Sequence, residues 1–185
     1  MLSNEAISEV SDADLVAKAV AGDASAFAHL VHRHAPTAKR MARLWGAGAD
    51  ADDVVQDAFV KAHAALARFR STGGFRPWLL SIVHNETRNL HRGRGRRAAR
   101  ESLAPLPDDL TTSDPEEEAI IVDRRRRLLA TIRELPVELR EVVACRYLLE
   151  LTEAETALTL KLPAGTVKSR LHRALSTLRT EVSDD

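Results

Sequence analysis

The 185 residues are enough for one medium domain or two small ones. Hydrophobic residues make up 44% and charged residues 29%, which can bury a core, while aromatics reach only 4% and argue for helices over a sheet. Lys plus Arg and Asp plus Glu number 27 each, so net charge excludes nothing and only its distribution informs. A basic run at Arg92–Arg100 is followed by an acidic one at Asp108–Glu118 and then by Arg124–Arg127. Opposite charges sorted in this way point to several partner surfaces of different sign.

The first dozen residues are polar, without a basic n-region and apolar h-region, and no apolar run approaches membrane-spanning length. A cytoplasmic chain with no membrane insertion of its own is expected. Ser11 or Asp12 can cap a helix that carries Leu15, Val16, Ala19 and Val20 inward and ends near Gly22. Asp23 opens a second, with Ala26, Phe27, Leu30 and Val31 inward, running on to Met41, Leu44 and Trp45; Pro36 marks a kink or a division in it.

Gly46 and Gly48 break the chain before a strong helix from Asp50, whose inward stripe is Val54, Val55, Ala58, Phe59, Ala62 and Leu66. Its outward face shows Asp53, Gln56, Asp57 and Lys61. Acids in a first turn are favoured by the macrodipole, and no His or Glu stands beside them at ligand spacing, so no metal site is read there. The stretch Phe69–Trp78 holds two Phe and a Trp among arginines, with Gly73-Gly74 as a hinge or a close backbone approach. The next helix puts Trp78, Leu79, Ile82 and Val83 inside, and His84, Asn85, Arg88, Asn89 and Arg92 on its polar surface. Aromatics and arginines beside such a helix suit single-stranded bases, which need π-faces and hydrogen-bonding edges. The plainer reading, preferred for Trp78, is that these rings close the core.

Gly93–Asp114 lacks hydrophobic periodicity and turns from Arg-rich to Pro-containing and acidic, as an extended connector would. Ser113-Asp-Pro-Glu-Glu117 then opens a helix to about Glu134, with Ile120, Ile121, Leu128, Leu129 and Ile132 inside. After Leu135-Pro136, Val137–Leu149 is predicted helical with Leu139, Val142, Val143, Tyr147 and Leu148 buried. Cys145, the sole cysteine, can form no internal disulfide and reads as a small buried hydrophobe. Thr152-Glu-Ala-Glu155 is a capping box for a short helix carrying Ala157 and Leu158 inward.

The last helix, Leu162–Arg179, recurs apolar at Val167, Leu171, Ala174 and Leu178. Its other face carries Gly165, Ser169, His172, Arg173 and Ser176, with Lys168 on the flank and no acid between Pro163 and Thr180. Two short helices joined by a tight turn, the second basic, make a helix-turn-helix whose second helix fits a DNA major groove. The fold class is therefore all-α: two small helical domains, 1–95 and 115–185, joined by a flexible linker at 96–114.

In this order the segments resemble the extracytoplasmic-function type of bacterial sigma factor, over nearly the whole chain. Asp52-Asp-Val-Val-Gln-Asp-Ala-Phe-Val-Lys-Ala62 resembles the helix that binds the clamp helices of the polymerase largest subunit. Phe75-Arg-Pro-Trp-Leu-Leu-Ser-Ile-Val-His-Asn85 resembles the segment that melts and reads the minus-ten element. Leu139-Arg-Glu-Val-Val143, Arg146-Tyr147 and Pro163-Ala-Gly-Thr-Val-Lys-Ser-Arg-Leu-His-Arg-Ala174 resemble the domain that reads the minus-thirty-five element. The resemblance implies core polymerase contacts at Asp53, Gln56, Asp57 and Lys61, and minus-ten contacts at Arg76, His84, Asn85, Arg88 and Arg92. It places minus-thirty-five contacts at Thr166, Lys168, Ser169, Arg170, His172 and Arg173, with Arg170 nearer a phosphate or packing role than a base.

The implied partners are core RNA polymerase, promoter DNA as duplex and melted strand, and an anti-sigma factor. The acidic linker is expected in the polymerase's basic nucleic-acid channel. No covalent chemistry is expected, because no nucleophile–base set is present, and no cofactor or metal is expected either. Some positions depart from the family's pattern: Thr156 replaces a core aliphatic, Leu162 a small or polar cap, His84 an Arg and Asn89 an Asp. Two rivals stand beside this reading. A helix-turn-helix repressor or activator explains Leu162–Arg179 but not the acidic helix or the aromatic loop. The second is an adaptor whose helical domains bind only protein.

Overall fold

A computed structural model describes residues 10–70, 73–97, 131–132 and 134–183, in which helices are joined by short turns and no strand occurs. The chain divides into two compact units, Met1–Leu106 and Pro107–Asp185. The first contains α1 (Asp12–Val20), α2 (Ala24–Leu44), α3 (Ala51–Ala65) and α4 (Phe75–Arg97). The second contains α5 (Val137–Val143), which runs into a π-turn at Ala144–Leu148, then α6 (Glu153–Leu160) and α7 (Ala164–Ser183).

In the first unit α1 packs on α2, α2 on α3 and α4, and α3 on α4. Ser11 caps α1 by accepting from the Asp14 N–H at 3.2 Å, and Asp23 caps α2 through the Ser25 and Ala26 N–H groups. Leu15 and Val16 are buried as expected, but Val20 is half exposed at the end of α1. Pro36 does not divide α2: it faces solvent, while Leu30, His34, Ala38 and Met41 are buried on both sides of it and carry the helix through. The stripe expected for α3, from Val54 to Ala62, is buried throughout, with Leu66 continuing it.

Gly46, which ends α2, has φ +84°, and a Cβ there would lie 3.3 Å from His91, so both conformation and a close approach demand glycine. Gly74, at φ +90°, has nothing within 4 Å of such a Cβ; its need is conformational only. α4 runs on to Arg97, past the expected linker start at Gly93. A helix absorbs isolated glycines at about 1 kcal/mol each, and the arginines around Gly93 and Gly95 are good helix formers. The rest of the expected linker and the helix Ser113–Ala130 lie outside the described residues.

In the second unit α5 and α6 both pack on α7. Ile132, Leu135, Leu139, Val143, Ala174 and Leu178 form its core, with Leu171 against it. Tyr147, expected inside, is 56% exposed. The π-turn explains this: the Leu149 N–H donates to the Ala144 carbonyl at 2.9 Å, five residues back, so one extra residue fits into the turn and the inward face passes to Leu149. Leu158 is likewise 43% exposed, and α6 instead buries Thr156, Thr159 and Leu160. The Thr156 hydroxyl, a polar group where an aliphatic was anticipated, donates to the Thr152 carbonyl at 2.8 Å and so enters the core satisfied.

Asp12 ties α1 to α2. Its carboxylate lies 2.6 Å from Arg33 Nη1 and 2.7 Å from His34 Nε2, and Arg33 also donates to the Val10 carbonyl. Burial pushes the Asp12 carboxyl up, but the hydrogen bonds from His34 and Arg33 and their charges outweigh it and hold it below its ordinary range. A depressed carboxyl stabilises the fold above its unfolded value, near about 3.9, and that contribution is lost as pH falls through the folded value. Asp12→Asn should therefore cost about 1–2 kcal/mol near neutral pH, the deficit shrinking below about pH 4. Urea titrations at several pH values check this; a pH-independent deficit would rule out the ionic contribution.

Candidate nucleic-acid interface

The helix-turn-helix is built from α6, its turn and α7. The capping box is present in full: the Thr152 hydroxyl accepts from the Glu155 N–H at 3.2 Å and Glu155 Oε2 accepts from the Thr152 N–H at 2.7 Å. α6 ends on Lys161 at φ +55°, and the Leu162 N–H reaches back to the Ala157 carbonyl at 2.9 Å. This is a Schellman-type stop, normally glycine's, made here by a lysine. Pro163 then starts α7, its carbonyl accepting from the Thr166 and Val167 N–H groups.

Val167 and Ala174 are fully buried and Leu178 nearly so, which turns Lys168, Ser169, His172, Arg173 and Ser176 outward into solvent. Thr166 and Arg170 are half-buried at the edges of that face. The Ser169 hydroxyl donates to the Thr166 carbonyl at 3.1 Å and retains its lone pairs for a ligand. Among the described residues no ion pair ties Lys168, His172 or Arg173, so their donors stand ready for an acceptor-rich surface.

In the first unit α4 carries the other set. Arg88, Asn89 and Arg92 are exposed, and Arg76 and Asn85 half-buried. His84, expected on this polar surface, is 4% exposed, its ring 5.1 Å from that of Trp45. It falls on the flank of α4 that packs against the end of α2, where an imidazole serves as an aromatic filler, so the buried ring corrects its expected place. At the start of α4, Phe75 is buried and packs with His34 (5.3 Å) and Trp78 (5.6 Å), and Phe69 with Trp78 (4.7 Å). The rings, tilted against one another, form a cluster that closes the core at Phe75 and stays half-open at Phe69 and Trp78.

α3 shows Asp53, Gln56, Asp57 and Lys61 outward, all exposed. Several partners went unseen in the sequence because they bridge helices: Lys39 on α2 pairs with Asp52 at 2.6 Å, and Lys61 pairs with Glu86 on α4. Beside the acidic face runs a groove of about 490 Å³ between α2 and α3, lined by Phe27, Val31, Val55, Phe59 and Val60 with Asp52, Gln56 and His63 at its edge. Val60, 63% exposed, was the one signal for it, an aliphatic lying off the buried stripe. Burial, with the Glu141 carboxylate adding to it, pushes the Cys145 thiol well above its ordinary range, leaving it unfit as a nucleophile. Among the described residues no cluster of His, Cys, Asp and Glu could hold a metal, and no helix is long and apolar enough to cross a membrane.

Comparison with known proteins gives the same two units in the same order. Residues 30–97 match the family Sigma-70 region 2 and residues 125–178 match Sigma-70, region 4. The chain is 31% identical over 182 residues to the ECF RNA polymerase sigma-E factor of Escherichia coli strain K12, covering 94% of this chain and 95% of that one. It is 39% identical over 174 residues to the ECF RNA polymerase sigma factor SigM of Mycobacterium tuberculosis, covering 92% and 84%. Among solved structures it resembles CnrH in complex with the cytosolic domain of CnrY, with a TM-score of 0.69 and 30% identity over 94% of this chain and 98% of that one.

The burial of His84 makes a direct forecast. His84→Ala should destabilise the first unit by about 1–3 kcal/mol, as other cavity-forming changes do, seen as an earlier urea or thermal midpoint. DNA binding by the fraction that stays folded should be unchanged; a loss of binding with no loss of stability would return His84 to the contact surface.

Proposed function

The chain belongs to the ECF RNA polymerase sigma factors, and from that membership we propose how its surfaces divide the work of a transcription initiation factor that binds core RNA polymerase and directs it to specific promoters. The observation that carries the proposal is the pairing, in one chain, of an outward acidic α3 with a basic α7 whose rotation is fixed by burial. Asp53, Gln56 and Asp57 dock on a basic surface of the core enzyme, where complementary charge sets the rate and register of encounter. α7 enters the major groove of the minus-thirty-five element: Lys168, Ser169, His172 and Arg173 face base edges and backbone, Thr166 lies near a phosphate at the helix N-terminus, and half-buried Arg170 contacts the backbone.

The α4 surface formed by Arg76, Asn85, Arg88 and Arg92 receives the melted minus-ten strand. Donors for phosphates and base edges stand there beside half-open aromatic rings on which a base can stack. Unstacking costs a few kcal/mol and is least for A·T-rich sequence already opened by the polymerase. The protein does no covalent chemistry of its own and works in the cytoplasm, where its polymerase is. By analogy with CnrH, whose structure holds the cytosolic domain of CnrY, an anti-sigma factor covers these surfaces until released. The apolar groove between α2 and α3 adds a face that such a protein or the core enzyme can fill.

Reconstituted transcription tests the reading. Purified chain added to core polymerase should produce specific starts on a subset of genomic promoter fragments; no start on any fragment would sink it. Tight, polymerase-independent binding of a duplex operator would favour an ordinary repressor or activator instead. Within the site, Arg173→Ala should cost about 1–3 kcal/mol on the cognate minus-thirty-five element and relax its sequence preference. Lys168→Ala, if Lys168 meets a phosphate, should weaken binding evenly across sequences and lower the salt slope by about one.

A further inference from the structure

The α3 and α4 faces, read as polymerase-docking and strand-capturing, are joined by an ion pair. Lys61 Nζ on α3 donates to Glu86 Oε2 on α4. The two ends differ in setting: the Lys61 side chain is 53% exposed, the Glu86 side chain only 12%. A carboxylate so withdrawn from water is costly to leave without a counter-ion. Along α4, Glu86 is next to Asn85 and one i, i+3 step from Asn89, so it borders the strip formed by Asn85, Asn89 and Arg92. A phosphate laid on that strip lies close enough to the carboxylate that, with a Debye length of roughly 8 Å at physiological salt, the repulsion is screened only in part.

We infer that the Lys61–Glu86 pair is a charge shield that sets the affinity of α4 for the melted strand. Lys61 neutralises a carboxylate that would otherwise repel the DNA, and its ammonium is committed inward to α4 rather than outward to the polymerase. The pair also positions α4 on α3, so the face that docks and the face that captures keep a fixed relation within the unit. The inference rests on the strand-capture reading of α4.

The test uses holoenzyme reconstituted from core polymerase and the full chain carrying Lys61→Met, Glu86→Gln, both together, or Arg88→Ala. The probe is a fluorescent single-stranded oligonucleotide with the nontemplate minus-ten region of a promoter on which wild-type holoenzyme starts. Affinity for core polymerase is titrated separately, and thermal midpoints identify any variant that fails to fold. Lys61→Met should weaken oligonucleotide binding about fivefold, Glu86→Gln alone should hold or improve it, and the double variant should return to within about twofold of wild type. Glu86→Gln should leave core affinity unmoved.

A loss of core affinity in Lys61→Met that Glu86→Gln does not repair would make Lys61 a docking residue and overturn the shield. So would weaker capture by Glu86→Gln alone, since the carboxylate would then be a DNA contact. If Arg88→Ala leaves oligonucleotide binding unchanged, the capture reading of α4 itself fails. If Arg88→Ala weakens it and Lys61→Met does not, only the shield fails.

Discussion

Everything α7 can do follows from the burial of Val167, Ala174 and Leu178. These positions fix the helix's rotation about its own axis, and that rotation decides which side chains reach solvent. Each residue step turns a helix by about 100°, so a slip of one position would bury Lys168 and expose Val167. Leu135, Leu139 and Val143 on the facing side make such a slip costly, because every displaced aliphatic would surrender apolar burial at about 25 cal/mol per Å². A reading surface for DNA requires this fixity, since base recognition depends on bidentate geometry that a loosely seated helix cannot hold.

The first unit meets the same demand with polar ties as well as apolar packing. Asp12 clasps Arg33 and His34, and His34 packs on Phe75, the residue that begins α4. The end of α4's buried flank is held from another side: His91 Nε2 lies 2.7 Å from the Trp45 carbonyl, and the His84 ring meets the Trp45 ring. Buried hydroxyls are satisfied within their own helix, Thr87 on the Val83 carbonyl and Ser81 on the Trp78 carbonyl. None of them therefore draws on the outward donors at Arg88 and Arg92. These hydroxyls thus make no demand on the surface, while Trp45 Nε1 is buried without a hydrogen-bond partner among the described residues.

Much of this was legible because helical periodicity is a strong signal where the face is aliphatic. The α3 stripe was read residue for residue, and so were the capping box and the seam of α7. Periodicity failed where chemistry and face disagree. Thr156 and Thr159 read as polar yet are buried, which moved the expected inward face of α6 onto Leu158. His84 read as polar yet fills a gap against Trp45. The π-turn at Ala144–Leu148 leaves no periodic trace, because a one-residue insertion looks the same as continuing helix, and Tyr147 was misplaced with it. Partners across helices, such as Lys61 with Glu86, lie 25 positions apart in sequence, and no single-helix rule brings them together.

The charge pattern along the chain takes its meaning from these same contacts. Counted in sequence, acids and bases cancel, and the acidic start of α3 looks like one continuous patch. In the folded unit Lys39 neutralises Asp52, so among the described residues the unshared negative charge on that helix narrows to Asp53 and Asp57. On α4, Glu86 is paired with Lys61 of α3, so the charge left on the Asn85–Arg92 strip is positive. α7 needs no such correction, since Pro163–Thr180 contains no acid at all. Internal pairing thus sharpens two faces of opposite sign within the first unit, and composition sharpens the third. A polymerase surface and a polyanion can then be engaged by one neutral chain without competing for the same charges.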